Sequence, residues 1–104
     1  MTKRDIVIDV SRSAGTKLNQ QTIMDVLQAS FQSITRALAR GETVELRNFG
    51  VFNVVSRKPR VGRNPRNPAI DVPIPAKAIV KFRPGKEMRE QVGELSLDSL
   101  DANA

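Results

Sequence analysis

Two hydrophobic periods divide this chain of 104 residues. Up to Gly41 the apolar positions recur three and four apart, and beyond it they alternate. Residues 2 to 14 predict a short helix, with Ile6, Val10 and Ala14 at i, i+4 and i+8, Val7 beside them and Gly15 as its stop. Thr2 and Asp5 have the spacing of a capping box, in which each satisfies a backbone donor of the first turn. Residues 20 to 40 predict a long helix, because Ile23, Val26, Leu27, Ser30, Phe31, Ile34, Ala37 and Leu38 trace one stripe. Asn19 suits its N-cap, Leu18 and Ile23 form a hydrophobic staple, and Gly41 suits its C′ position. Arg36 and Arg40 lie at its end, where the helix dipole favours cations.

The alternating half predicts strands. TVELR (43–47) and VFNVVSRK (51–58) read as a hairpin around the turn NFG (48–50), and IVKFR (79–83) reads as a third strand. Pro84-Gly85 ends it, and KEMREQV opens a short helix with Met88 and Val92 on one face. The four phenylalanines fall on apolar faces, which makes them core rather than base-stacking residues. Residues 96–104 read as an acidic, disordered tail, so the chain divides into a domain at 1–95 and that tail.

Residues 56–75, SRKPRVGRNPRNPAIDVPIP, fit neither period. They hold five of the six prolines and five basic residues. Proline is barred from central strands but tolerated at edges, and a two-stranded ribbon has only edges. The segment therefore predicts a hairpin arm. Its outgoing strand carries Arg57, Lys58, Arg60, Arg63 and Arg66, Gly62 bulges it, its turn lies near Pro65–Pro68, and IDVPIP (70–75) returns. Eight residues per strand give a reach of about 25 Å. The bland alternative is a solvated basic loop.

Charge adds to this picture without separating the two readings. The net charge of +6 hides a partition: residues 1–86 carry sixteen bases and six acids, while the last 18 residues carry five acids and one base. Between Glu45 and Asp71 there are six bases and no acid. A one-signed field of this kind points to a polyanion. With neither His nor Cys, and no glycine-rich phosphate loop or metal-ligand cluster, the chain has no catalytic constellation, so no enzymatic activity and no cofactor are expected. No apolar run long enough for a membrane span is present, which leaves the cytoplasm as the expected compartment and no membrane partner. The arm and tail consume about 30 residues, and sharing the apolar stripes between two chains would enlarge an otherwise small core.

NFGVF (48–52), GRNP (62–65) and VKFRPGKEM (80–88) resemble the successive motifs of the bacterial histone-like DNA-binding family, which includes HU and integration host factor. The resemblance runs over residues 1 to about 92. It implies an α+β fold: an intertwined dimer with a helical base, a three-stranded antiparallel sheet per chain and a protruding β-hairpin arm. It implies double-stranded DNA as the partner, bound in the minor groove and bent or compacted, with the protein associated with the nucleoid and without a small-molecule substrate. By position, Pro65 takes the role of the proline that inserts between base pairs. The resemblance assigns Arg57, Lys58, Arg60, Arg63 and Arg66 to the groove and backbone, with Arg63 and Asn64 closest to base edges. Lys81, Arg83 and Lys86 are assigned to phosphates in the saddle, Arg47 is a second groove candidate, and Lys3 and Arg4 meet flanking DNA. The pairing is a homodimer or a heterodimer with a paralogue.

Three features depart from the family pattern. Asn67 and Pro68 follow Arg66 where the family has Thr and Gly, the tip is one residue longer, and the acidic tail lies outside the resemblance. The competing functions are a sequence-specific bending factor of the integration host factor type, a helix-turn-helix regulator using the two opening helices, and an RNA chaperone. The arm's lack of aromatics weighs against the last.

Overall fold

The computed structural model describes the backbone of residues 1–13, 17–64 and 66–102; the side chains of 60, 63, 64, 68–71, 101 and 102 fall outside the description. The predicted Ala14 and Gly15 end of the first helix and the arm-tip Pro65 lie outside the described residues. The chain divides into two compact units, Met1–Arg40 and Gly41–Ala104.

The first unit is a pair of helices, α1 (Lys3–Arg12) and α2 (Gln20–Ala39). Thr2 caps α1 through the predicted box: its hydroxyl accepts from the Asp5 N–H at 3.3 Å, and its own N–H donates to Asp5 Oδ2 at 2.7 Å. That N–H and, at 3.0 Å, the Thr2 hydroxyl both donate to Asp5 Oδ2 and hold its carboxyl below the ordinary value of 3.8. Folding therefore disfavours its protonation, and the stabilisation is present above 3.8 and lost as the pH falls through the lower folded-state value. Thr2→Ala should lower the thermal midpoint by a few degrees at pH 7. The gap from the parent chain should narrow without closing below pH 3.8, because the hydroxyl's cap of the Asp5 N–H does not titrate; circular dichroism melts across pH measure it.

Asn19 caps α2 by accepting from the Thr22 N–H at 2.8 Å, and Gly41 follows Arg40 at φ +83°, a left-handed position that glycine takes without strain. Against expectation, the buried residue of α1 is Val7, whereas Val10 is exposed. The inward face is set by packing on α2, which prefers the stripe through Val7 and Ser11 to the one through Ile6 and Val10. Only Val7 (2% exposed) and Ile23 (7%) are buried hydrophobics among the described residues, and Val26 and Phe31 on the α2 stripe remain open to solvent.

The second unit contains β1 (Val44–Leu46), β2 (Gly50–Arg57) and β5 (Lys77–Pro84), an antiparallel sheet in the order β1-β2-β5. Between β2 and β5 rises a separate ribbon of β3 (Arg60–Asn64) and β4 (Asn67–Ile74). After β5 come α3 (Lys86–Gly93) and α4 (Leu97–Ala102). The short α4 lies where the sequence predicts a disordered tail; the Leu100 N–H reaches the Ser96 carbonyl at 3.2 Å to close its first turn.

Cross-strand register sorts the sheet's side chains into two faces. Phe52 pairs with Val44 and Phe82, and Val54 with Val80, so one face is apolar. The Phe82 ring lies 4.7 Å from that of Phe52 and 5.7 Å from that of Phe49, in tilted geometry. Val80 and Phe82 on this face are exposed.

The hairpin differs from its prediction in three ways. It is not a continuation of β2, because Lys58-Pro59 and Pro75-Ala76 separate the ribbon from the sheet and each proline lacks a ladder donor. Its outgoing strand has five residues rather than eight, which shortens its regular reach to about 16 Å. The irregularity is not at Gly62, which pairs normally with Val72. It falls between Arg63↔Asp71 and Asn64↔Asn67, so the returning strand carries three extra residues there.

Candidate nucleic-acid interface

Alternation that places the phenylalanines on one face must place their neighbours on the other. That second face carries Arg57 opposite Lys77, Lys81 opposite Asn53, and Arg83 opposite Val51. Four cations thus share one face of two adjacent strands, and none forms an ion pair among the described residues. Like charges directly opposite one another, as in Arg57↔Lys77, destabilise a sheet unless an anion lies between them. Two buried polar atoms on the same face, Arg57 Nε and Asn53 Oδ1, lack hydrogen-bond partners. An unmet donor of this kind is costly in the free protein and suits an oxygen-rich ligand.

At the far end of the sheet a hollow of about 340 Å³ is lined by Val51, Arg83, Pro84, Gly85 and Arg89. Gly85 is the N-cap of α3 and supplies no side-chain cap, so the first N–H groups of that helix stay open to an anion. The Gly85 N–H donates to the Phe49 carbonyl at 2.8 Å, which ties the helix start to the β1–β2 turn. That turn is made by Asn48 at φ +69°, next to the exposed Arg47. A Cβ at residue 85 would lie 3.1 Å from the Asn48 carbonyl, so only glycine permits this approach without displacement.

The sequence-chosen residues divide by location. Arg57, Lys81 and Arg83 share the cationic sheet face, and Arg47 and Lys86 flank its α3 end. Lys86 is the first residue of α3 and lies 3.9 Å from Glu90; both are exposed, so the pair is weak and exchanges readily for another anion. Lys58 is exposed between sheet and ribbon, Arg60 opens β3 opposite Ile74, and Arg66 is exposed in the turn. Arg63 pairs with Asp71, the lone acid between Glu45 and Glu87, and Asn64 pairs with Asn67. Pro65 lies outside the described residues. Sequence reasoning missed Lys77 and Arg89. The first was legible from its odd number, which puts it on the face of Lys81 and Arg83 beyond Ile79; the second became visible only once α3 folded back onto the hollow beside Arg83. Among the described residues no group of three or more acids could hold a metal, and no helix is long and apolar enough to cross a membrane.

Residues 1–93 match the family model described as Bacterial DNA-binding protein. The chain is 41% identical over 92 residues to the probable DNA-binding protein HU of Chlamydia pneumoniae, covering 88% of this chain and 90% of that one. It is 37% identical, over the same shares, to the integration host factor subunit alpha of Pseudoalteromonas translucida. Among solved structures it is similar to the HU of an Anabaena HU–DNA cocrystal, with a TM-score of 0.83 and 34% identity over 91% of this chain and 100% of that one. An HU mutant from Thermotoga maritima gives a TM-score of 0.61 and 27% identity, covering 88% and 99%.

Proposed function

Because this chain belongs to the bacterial DNA-binding protein family of HU and integration host factor, a family of DNA binders rather than enzymes, we propose that it is an architectural protein. It holds duplex DNA against the cationic sheet face and bends it by laying the arm in the minor groove. The observation that carries this reading is the row Arg57, Lys77, Lys81 and Arg83, one face of a sheet from which the chain passes, across Lys58-Pro59 and Pro75-Ala76, into a basic arm. Phosphates supply the anions that this face lacks, and they supply them without regard to sequence.

The bending reading rests on Pro65, which the sequence places between β3 and β4. A proline wedge unstacks one base step at a cost of a few kcal/mol, offset by the extra phosphates that a bent path brings to the sheet. The functional unit is a dimer. The exposed Val26 and Phe31 of α2, with Val80 and Phe82 of the sheet, are the apolar faces that a second chain covers. A nucleoid location follows from the ligand.

The test is a duplex labelled at both ends for energy transfer. The parent chain should bring the ends together on binding. Pro65→Ala should lose most of that bend and less than about tenfold in affinity. A duplex that stays straight when bound would overturn the bending reading.

A sequence-specific role is the second reading, favoured by the identity to an integration host factor subunit. Competition between random duplexes and a selected site decides it, since a specific factor prefers its site by about a thousandfold or more.

A further inference from the structure

The family match stops at residue 93, and the chain continues. From Glu94 onward it carries three acids and no base. The helix α4 repeats leucine and aspartate at i and i+3, Leu97/Leu100 and Asp98/Asp101, which sets two adjacent stripes along one side of the helix. Leu97 is 75% exposed and Leu100 53%, with Leu95 and Val92 open beside them in sequence. Six helical residues are marginal alone, so an apolar stripe of this kind needs a surface to rest on.

A surface of complementary chemistry lies at the root of the arm. There Pro59, Val61, Pro73, Ile74 and Pro75 line an apolar hollow of about 410 Å³. In sequence it is flanked by Arg57 and Lys58 on one side and Lys77 on the other. Resting on the DNA-binding reading above, we infer that this hollow is a docking site for the acidic leucine helix α4 of a second copy of the chain. The leucines fill the hollow and the aspartates meet the root cations. The docked tail occupies cations that DNA phosphates require, so the two ligands compete.

Exposure selects the second copy over the chain's own tail. Within one chain Leu97 and Leu100 stay open, and so does Val61 of the hollow (67% exposed), so α4 does not seat on the hollow of its own chain.

The experiment uses full-length chains. One variant carries Leu97→Ser and Leu100→Ser, and another Asp98→Asn and Asp101→Asn. Each should bind a 30-base-pair duplex about 3- to 10-fold tighter than the parent at 50 mM salt, with the gap closing by 300 mM as screening weakens the aspartate contacts. Without DNA, the methyl resonances of Val61 and Ile74 should move in both variants. They should return when the labelled leucine variant is co-refolded with excess unlabelled parent chain. Unchanged methyl resonances, or a gain confined to the aspartate variant, would overturn the docking. A failure of co-refolding to restore the resonances would overturn the second-copy assignment. If the parent and both variants all fail to bind duplex, the DNA reading falls, while the methyl shifts still decide the docking.

Discussion

Gly50→Val is expected to destabilise the protein by about 3 kcal/mol or more, with a matching loss of DNA binding at temperatures where the parent chain is fully folded. Gly50 begins the central strand, paired with Leu46 on one side and Pro84 on the other. A Cβ there would lie 2.5 Å from Phe82 Cε1 and 2.6 Å from both Phe82 Cζ and the Arg83 carbonyl. The ring has little room to yield, because it is packed against Phe49 and Phe52. The carbonyl belongs to β5, where Arg83 is held opposite Val51. Any relief therefore moves either the aromatic cluster or the strand that presents Lys81 and Arg83. Gly50→Ala should show a smaller loss, and adding Phe82→Leu should recover part of it, since only the backbone clash would remain. Urea denaturation measures both. Parent-like stability for Gly50→Ala would show that the strands can part at this point and would refute the packing argument.

Neutralising the arm is expected to have the largest effect on binding. With Arg57, Lys58, Arg60, Arg63 and Arg66 all changed to Gln, the log–log dependence of affinity on salt should flatten by about 4 to 5. Affinity at 0.1 M salt should fall by at least about a hundredfold. Stability should hold or rise, because Lys58 is exposed and the change removes the like-charge opposition of Arg57 and Lys77. The matching set Lys77, Lys81 and Arg83 should flatten the slope by about 3, through the sheet face rather than the arm. Fluorescence titrations at four salt concentrations read both slopes. An unchanged slope in the arm variant would mean that the arm meets no phosphates.

The local elements were legible because their causes are local. The capping box of Thr2 and Asp5, the Asn19 cap and the stop at Gly41 depend on residues a few positions apart, and each forms as its spacing predicts. The alternation around Phe52 and Phe82 was legible for the same reason. The family followed from motifs, because GRNP and FRPGK occur together in order. What the alternation did not show was the partner of each residue. Lys77 was passed over because its meaning lies in standing opposite Arg57, a fact of register between strands twenty residues apart. NFG reads as a turn, but its letters do not say that the left-handed residue is Asn48 or that Gly50 is required by the Phe82 ring beside it.

Alone, the order of amino acids determined α1, α2 and α3, the three sheet strands, the basic arm and the excess of positive charge, since each depends on neighbours along the chain. The tertiary structure decided which α1 stripe is buried, where the hairpin slips register, and that Arg57, Lys77, Lys81 and Arg83 form one surface. Those outcomes depend on contacts between segments far apart in sequence, where packing and pairing choose among arrangements that local periodicity leaves equal.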